Sequence, residues 1–463
     1  MLFRCSFLFV IVALAAKLVA IFYTNFDLFG DEGQYWLWSK NLDFGYYSKP
    51  PLLAWFLGFF TLFFGDSFES LKIFPILAYL ISSLSIFYLS FEIYNNKKFA
   101  TICGLSFFLL PAVTVSSFLI STDILLIIFW SISMLFLLKI RKEPKSIYFF
   151  LLGIFLGLSF LTKYAAVYFF IGMLFVFVFD SKIRNSITHT KTNIFIFIIT
   201  ILIIAFPNIL WNIKNNWVTF SHTGDNAGLN RISINFFQGF EFLLIQAVMI
   251  GPVIFFSYLF FLKKIKLNFE TIFLLSFSLP IFIIVFVEGI LVRANANWAA
   301  VALISFFILF ARQVYFFSKK LFFLNNLVNF FISLLFFYLV GTTSNLSFFD
   351  RIRGISAFSE SLEEKHLGGF MYLVVEDRLL YSNLSYTLKN ANKTLLMPYK
   401  KNKKISNHFQ ITNPLDEGFK INFVYIGDPK NLLYLNKNKS VKKIESINTL
   451  FQKGPINIYE ISF

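Results

Sequence analysis

The chain has 463 residues, of which 57% are hydrophobic, 21% are aromatic and only 14% are charged. Soluble domains carry about 25% charged residues, so this composition excludes an ordinary soluble protein and predicts a chain largely solvated by lipid. The formal net charge of +16 would suggest nucleic acid in a soluble protein. Here the basic residues lie mostly between apolar runs, where they set membrane orientation, so no nucleic-acid partner is expected.

Apolar runs recur along the first three quarters of the chain. A helix needs roughly 17 to 25 residues to cross a bilayer, and the shorter runs must extend into their neighbours to do so. The first run lacks a small-x-small cleavage site before Asn25, so we interpret it as a retained span and not as a signal peptide. The sequence predicts about eleven spans, near 7–24, 71–92, 99–118, 124–140, 146–161, 165–179, 194–210, 241–262, 270–290, 298–311 and 322–341.

Lys and Arg residues are unequally divided between the two sets of alternate loops. One set holds fifteen of them and the other holds seven. By the positive-inside rule the richer set faces the cytoplasm of a bacterial inner membrane. This predicts a cytoplasmic amino terminus and places residues 342–463 in the periplasm.

The composition changes to that of a soluble domain after about residue 341. Short apolar runs at 371–375, 394–397, 421–426 and 456–461 read as strands, and 377–388 reads as a helix. We therefore predict a transmembrane catalytic domain over 1–341 and a small periplasmic α/β domain over 342–463. The two cysteines, Cys5 and Cys103, lie in separate apolar runs and provide no disulfide framework.

The first external loop, about 25–70, carries an unusual set of residues between Asp31 and Pro51. Its aromatic rings suit a helix lying in the membrane interface. That interpretation does not account for the adjacent carboxylates of Asp31 and Glu32, nor for Lys49 before two prolines. A carboxylate close to the membrane costs free energy unless it is paired or functional, so this loop is a candidate site.

Four further external turns carry polar residues, each with a structural alternative. Asp123 suits a helix N-cap, and Lys163 suits interfacial snorkelling. His222 lies in the loop 211–239 with Arg231, and a lone histidine is more often structural than a ligand. The last of these four turns places Arg293 beside Asn297 and Trp298.

These turns meet on one membrane face, where they can form a single cavity. Cations there would hold a phosphate through charge-assisted hydrogen bonds, and a carboxylate could accept a proton from an attacking hydroxyl. Aromatic faces would stack on sugar rings or line a lipid groove. This chemistry predicts sugar transfer from a phospholipid carrier. The candidate catalytic residues are Asp31, Glu32 and Asp123; the candidate donor-binding residues are Lys49, Tyr35, Tyr46, Tyr47, Lys163, Tyr164 and Arg293; the candidate acceptor or loop residues are His222, Asn297 and Trp298.

The run Asp31-Glu-x-x-Tyr35-Trp-x-Trp38-Ser, followed by Gly45-Tyr-Tyr and Lys49-Pro-Pro51, resembles the first-loop signature of bacterial glycosyltransferase family 39. That family includes protein O-mannosyltransferases and the aminoarabinose transferases that modify lipid A. The resemblance continues through later motifs to about residue 310, among them Ser121-Thr-Asp123, Thr162-Lys163-Tyr164, Pro207-Asn208-x-x-Trp211-Asn212, His222-Thr-Gly224 and Asn297-Trp298-Ala-Ala300.

The resemblance implies an α-helical GT-C fold and inverting transfer from a polyprenyl-phosphate sugar, undecaprenyl phosphate in bacteria. The acceptor would be lipid A, another lipopolysaccharide component or a protein. Asp31 matches the family's catalytic carboxylate, Asp123 falls at a second acidic position, and Lys49 matches a lysine expected to contact the donor phosphate.

The sequence departs from lipid A-modifying relatives at two positions. Ser48 stands where those relatives often have a glutamate that helps bind a metal, and Gln34 stands where they have a basic residue. A divalent metal is therefore left open and no cofactor is assigned.

Two other classes of protein fit a polytopic chain with these charges. A transporter or lipid flippase would use charged or broken spans near the membrane midplane, for which Lys17 and Glu288 are the nearest candidates. An assembly or scaffolding protein would bind its partner through the external tail.

Overall fold

The computed structural model describes residues 2–228, 232–262, 265–401, 403–435 and 439–463. Its helices follow the apolar runs of the sequence, with short breaks at Pro, Gly and polar turns. The α-helices up to residue 341 are α1 (Leu2–Tyr23), α2 (Gly30–Lys40), α3 (Leu52–Phe64), α4 (Phe68–Tyr94), α5 (Lys97–Phe108), α6 (Pro111–Ser116), α7 (Thr122–Lys142), α8 (Ser146–Thr162), α9 (Tyr168–Phe179), α10 (Ser181–Thr188), α11 (Lys191–Lys214), α12 (Val218–Ala227), α13 (Phe236–Ile250), α14 (Pro252–Phe261), α15 (Phe269–Ser276), α16 (Leu279–Leu291), α17 (Ala300–Phe317) and α18 (Lys319–Gly341).

Seven helical segments among the described residues are long and apolar enough to cross a membrane, or nine if each of two bent pairs forms one span. The chain is thus a multi-pass membrane protein. Each of the eleven predicted runs overlaps helical residues, but the number eleven is not confirmed. The run at 241–262 bends by 103° between α13 and α14, because Gly251 adopts φ 106° and Pro252 begins the next helix.

The run at 99–118 is also broken, in this case into α5 and α6. Pro111 occupies the first turn of α6, and Leu110 before it has an extended backbone with ψ 141°. A residue that precedes proline is disfavoured in the helical region, which explains why one apolar run forms two helices.

After α18 the chain forms a six-stranded mixed sheet with three helices. The helices are α19 (Ile355–His366), α20 (Arg378–Thr387) and α21 (Phe409–Thr412). The strands are β1 (Tyr372–Val375), β2 (Thr394–Pro398), β3 (Pro414–Leu415), β4 (Phe423–Ile426), β5 (Ser440–Ile447) and β6 (Ile456–Ser462), in the order β3-β2-β1-β4-β6-β5. The first four pair in parallel, and β6 is antiparallel to both β4 and β5.

The four predicted strands and the predicted helix at 377–388 are confirmed by β1, β2, β4, β6 and α20. The sequence did not predict two strands, the two-residue β3 and β5. The residues of β5 are mostly exposed and include two adjacent lysines. Charged side chains are common on edge strands because they block further pairing. The proposed domain boundary at residue 341 falls at the end of α18. The division of the chain into two domains there is still a proposal.

The carboxy-terminal segment is packed directly on the first loop through two glycines of α2. A Cβ atom placed on Gly30 would lie 2.7 Å from Cβ of Leu379, and one on Gly33 would lie 2.6 Å from Oδ1 of Asn383. Asp27 strengthens the joint, because its carboxylate accepts a 2.7 Å hydrogen bond from the backbone N–H of Ile355. The start of α20 is therefore held beside the start of α2.

Candidate active site

Glu32 holds the start of α2 in place. Its side chain is 1% exposed, and its oxygens accept hydrogen bonds of 2.6 and 2.9 Å from Nζ of Lys72, itself fully buried on α4. They also accept 2.8 Å bonds from the backbone N–H groups of Phe29 and Ile120. A carboxylate with both oxygens occupied in this way has little capacity to act on a substrate. We therefore revise the role of Glu32 from catalytic to structural.

Asp31 differs from its neighbour in having its carboxylate free. In the first turn of α2 it is partly exposed. None of the hydrogen bonds or ion pairs found in the described part of the chain uses this carboxylate. It is held by the anchored helix and not by contacts of its own, which leaves both oxygens available to a substrate.

Asp123 is joined to two other predicted site residues. It lies in the first turn of α7 and is 6% exposed. Lys163 Nζ forms a 2.7 Å ion pair with its Oδ1, and Asn297 Nδ2 donates a 2.7 Å hydrogen bond to its Oδ2. Three turns that are far apart in sequence thus meet at one carboxylate.

The segment that carries Lys49 is fixed by aromatic packing and hydrogen bonds. The Tyr46 ring stacks on Trp38 with centroids 4.4 Å apart, and the ring of His408 lies 5.1 Å from it. Trp211 Nε1 donates a 2.6 Å hydrogen bond to Oδ2 of Asp43. This packing keeps Lys49 at a set position although its own side chain makes no hydrogen bond or ion pair among those of the described residues.

Lys49 and Lys163 line a cavity of about 330 Å³ at this face, together with Tyr164, Tyr168, Glu288 and Trp298. Burial lowers the pKa of Lys49, and the neighbouring Lys163 lowers it further, whereas the carboxylates of Asp123 and Asp31 act in the opposite direction. A cation that is costly to bury beside a second cation favours an anion as its partner. The cavity is therefore suited to a phosphate.

The predicted tyrosines divide into cavity and packing positions. Tyr164 lines the cavity, and its ring stacks on Phe220 at 4.6 Å. Tyr46 is fully buried and supports the loop, as described above. Tyr35 is buried on α2, where burial and the Asp31 carboxylate raise its pKa well above the ordinary value, so it stays protonated. Tyr47 packs against the ring of His222 with centroids 4.9 Å apart.

The remaining candidates lie at the rim. Arg293 Nη2 approaches the backbone oxygen of Asn226 at 3.4 Å, and Asn226 also lines the cavity. His222 Nε2 lies 3.0 Å from Nδ2 of Asn226. Burial, with the Arg378 and Lys49 charges, lowers the pKa of His222 to about 4, so it is neutral at physiological pH. Arg231 falls outside the described residues.

The metal site of the resembling relatives does not fit this chain. Ser48 supplies a hydroxyl where they have a carboxylate, and that hydroxyl lies 3.5 Å from Nε2 of Gln34. Over the ranges that the structure describes, no group of three or more His, Cys, Asp or Glu side chains could hold a metal ion. We derive no step through a metal.

One charged residue near the cavity was missed by the sequence reading. Arg378 begins α20, and its charge lowers the pKa of Lys49 and of His222. It follows a predicted strand in the tail, and nothing in the local pattern distinguishes it from a solvent-exposed arginine. Only the packing of α20 on α2 brings it to the site.

Comparison with known proteins gives a family match for the part of the chain that contains Lys49 and Asp123. Residues 48–211 match the family model for dolichyl-phosphate-mannose-protein mannosyltransferase. Over this stretch, which is less than half of the chain, the sequence is similar to that glycosyltransferase family. The matched residues include Lys49, Asp123 and Lys163, and they begin after Asp31.

A curated relative and solved structures extend the match. The lipid A galacturonosyltransferase RgtD of Rhizobium johnstonii is 28% identical over 293 residues, which are 62% of this chain and 61% of that protein. The matched part thus spans less than two thirds of the relative's length.

Two crystal structures of ArnT from Cupriavidus metallidurans each align with 98% of this chain and 97% of their own at 14% identity. Their TM-scores are 0.67 for the apo state and 0.66 for the state bound to undecaprenyl phosphate. At this identity the likeness shows the fold alone, and it confirms the predicted GT-C architecture.

Proposed function

We propose that this chain is an inverting glycosyltransferase that moves a sugar from undecaprenyl phosphate to a lipid A, lipopolysaccharide or protein acceptor. The proposal rests on the free carboxylate of Asp31, whose charge acts on Lys49, and on the cavity that Lys49 and Lys163 line. The fold shared with an undecaprenyl phosphate-bound ArnT supports the donor, and the likeness to RgtD makes lipid A the first acceptor to test.

The proposed reaction is a single displacement at the anomeric carbon. The acceptor oxygen forms a bond to that carbon from the face opposite the lipid phosphate, and the bond between the carbon and the phosphate oxygen breaks. Asp31 accepts the proton of an attacking hydroxyl. The departing phosphate is already ionised, so it needs electrostatic stabilisation, which Lys49 and Lys163 supply, more than it needs a proton.

If the acceptor is a phosphate, it has no proton to lose at neutral pH, and Asp31 then mainly orients it. In either case Asp123 acts through Lys163, whose Nζ it holds at 2.7 Å. We propose that the reaction takes place at the periplasmic face of the inner membrane, with the amino terminus in the cytoplasm and the sheet of the tail in the periplasm.

The alternative of a transporter or flippase has less support. Lys17, one of its two candidate residues, donates a 2.7 Å hydrogen bond to Oγ of Ser117 and lies 4.3 Å from the centroid of Phe108. These contacts give it a local structural role. Glu288 lines the same cavity as Lys49, so it belongs to the proposed site and defines no separate path.

The direct test is transfer by the purified chain in lipid nanodiscs. Undecaprenyl phosphate carrying galacturonic acid or a neutral hexose is supplied with lipid A, and mass spectrometry detects the sugar added to the acceptor. We expect a product with at least one donor. A wild-type chain that neither binds undecaprenyl phosphate nor transfers either sugar to lipid A or to envelope proteins would contradict the proposal.

The lowered pKa of Lys49 predicts a pH dependence of donor binding. The phosphate binds to the charged form, so affinity is full below the pKa of Lys49 and declines as pH rises through it, before the ordinary lysine value of 10.5 is reached. Lys49→Arg stays charged, because an arginine keeps its proton to above about pH 12. We therefore expect this variant to retain binding at alkaline pH where the wild type loses it.

Binding of undecaprenyl phosphate, measured by thermophoresis between neutral pH and about pH 10, checks this prediction. Lys430→Arg makes the same exchange at an exposed position of the tail and should behave as the wild type does. If the affinity of Lys49→Arg for undecaprenyl phosphate declined with rising pH as steeply as that of the wild type, Lys49 would not be the group that binds the phosphate.

A further inference from the structure

Arg378 stands at the point where the carboxy-terminal segment meets the first loop. Asp377 caps α20 by accepting hydrogen bonds of 2.9 and 2.8 Å from the N–H groups of Leu379 and Leu380. Leu379 packs on Gly30 so closely that a Cβ at Gly30 would lie 2.7 Å from the leucine Cβ. Because Gly30 directly precedes Asp31 and Leu379 directly follows Arg378, this contact brings the start of α20 against the start of α2.

The guanidinium of Arg378 has no structural partner to explain its position. None of the hydrogen bonds, ion pairs or ring contacts found within the described ranges uses it, although the residue is half-buried. A cation in the first turn of a helix is also unfavourable, because the helix dipole is positive there. Arg378 therefore does not stabilise α20.

The charge of Arg378 acts on Lys49, which lines the cavity. It lowers the pKa of Lys49, of Tyr47 and of His222, which lie on the loop before α3 and on α12, and it also acts on Tyr35 of α2. Of these groups Lys49 lines the cavity, and Tyr47 and His222 each adjoin a residue that lines it. Arg378 is therefore close to the residues that form the cavity.

Both cations and carboxylates lie around this cavity, and the carboxylates include Asp31 and Glu288. Lys163 is paired with Asp123, whereas Lys49 and Arg378 are both without a hydrogen bond or ion pair in the described part of the chain. Two buried or half-buried cations held near one another raise the free energy of the empty site and favour an anion between them. Arginine is particularly suited to oxyanions, since its planar fork can donate two parallel hydrogen bonds.

We propose that Arg378 binds an oxyanion of the substrate, a phosphate or a carboxylate, so that the carboxy-terminal segment supplies part of the substrate-binding site. This inference rests on the proposed function. The oxyanion has two chemical sources, the lipid phosphate of the donor or an acidic group on the transferred sugar or on the acceptor.

Binding measurements on Arg378→Gln distinguish the sources. The probes are undecaprenyl phosphate without sugar, undecaprenyl phosphate carrying galacturonic acid or a neutral hexose, and lipid A with or without its phosphates. Loss of a charge-assisted bidentate contact should weaken binding about tenfold to hundredfold for each probe that carries the recognised group. Arg378→Lys should recover part of that loss. Arg351→Gln, an exposed arginine outside the cavity, is the matched control.

Weaker binding of bare undecaprenyl phosphate assigns Arg378 to the donor phosphate. A loss confined to the galacturonate donor, or to phosphorylated lipid A, assigns it to that group and equally supports the inference. Unchanged affinity for every probe in Arg378→Gln, beside a wild-type chain that binds and transfers, would overturn the inference and leave the proposed function intact. A wild-type chain that binds none of the probes would instead overturn the proposed function.

Discussion

Sugar transfer by the Asp31→Asn variant to a hydroxyl acceptor is expected to fall by about 10²- to 10⁴-fold, the usual contribution of a positioned general base. The amide keeps the size of the side chain but cannot accept the proton. Because the carboxylate makes no hydrogen bond or ion pair among those of the described residues, the variant should fold and bind undecaprenyl phosphate as the wild type does. The measurement is the turnover number at saturating donor, with donor affinity determined separately.

Glu69→Gln provides the matched control for this experiment. Glu69 lies in the first turn of α4 as Asp31 lies in the first turn of α2, and it is outside the cavity. Its replacement should leave turnover unchanged. Full activity of Asp31→Asn with a hydroxyl acceptor would eliminate Asp31 as the base. A small loss with a phosphate acceptor alone would agree with an orienting role, since that acceptor has no proton to lose.

Breaking the ion pair between Glu32 and Lys72 is expected to cost about 3–5 kcal/mol in the free energy of unfolding, because either single change leaves one buried charge without its partner. The two side chains are 1% and 0% exposed. Glu32→Gln leaves the buried ammonium group of Lys72 without a counter-ion. Lys72→Met leaves the carboxylate of Glu32 without one, although that carboxylate still accepts hydrogen bonds from Phe29 and Ile120. Thermal unfolding in detergent, followed by tryptophan fluorescence, measures the loss.

The double variant Glu32→Gln with Lys72→Met separates charge from shape. It removes both charges and keeps the hydrogen-bonding amide, so it should be more stable than either single variant. If the free energy of unfolding lost by the double variant equalled the sum of the losses in the two single variants, the two residues would not interact. We also expect transfer to fall in the single variants beyond what instability explains, since Glu32 anchors the helix that presents Asp31.

The tail shows how far local patterns carry a prediction. Four short apolar runs predicted β1, β2, β4 and β6, because a buried strand must be apolar whichever strand it pairs with. Of the two strands that were not predicted, β3 has only two residues and β5 is mostly exposed. The pairing of β5 with β6 depends on a residue-by-residue register with another segment of the chain. Exposed edge strands carry no apolar signature that a sequence pattern can detect.

The membrane region shows the same limit at two bends. An apolar run predicts helical residues but not the direction in which they continue. Gly251 and Pro252 turn the chain by 103° within one run. The number of spans depends on whether such a bent pair crosses the membrane, which composition alone does not determine.

The structure gives the predicted site residues contacts that the sequence alone did not determine. The sequence placed Asp123, Lys163 and Asn297 on one face, and the structure joins them within hydrogen-bonding distance. The sequence could not assign different roles to Asp31 and Glu32, which are adjacent carboxylates in one motif. It also gave no reason to include Arg378.

The sequence by itself determined that this is a polytopic membrane protein with a carboxy-terminal sheet, and it determined which loops carry polar residues. Those properties follow from composition and from runs of neighbouring residues. Only the tertiary structure decided which carboxylate is free, because the partners of Glu32 come from 40 and 88 residues further along the chain. The same holds for Arg378, which comes close to Lys49 only because two glycines of α2 let α20 approach.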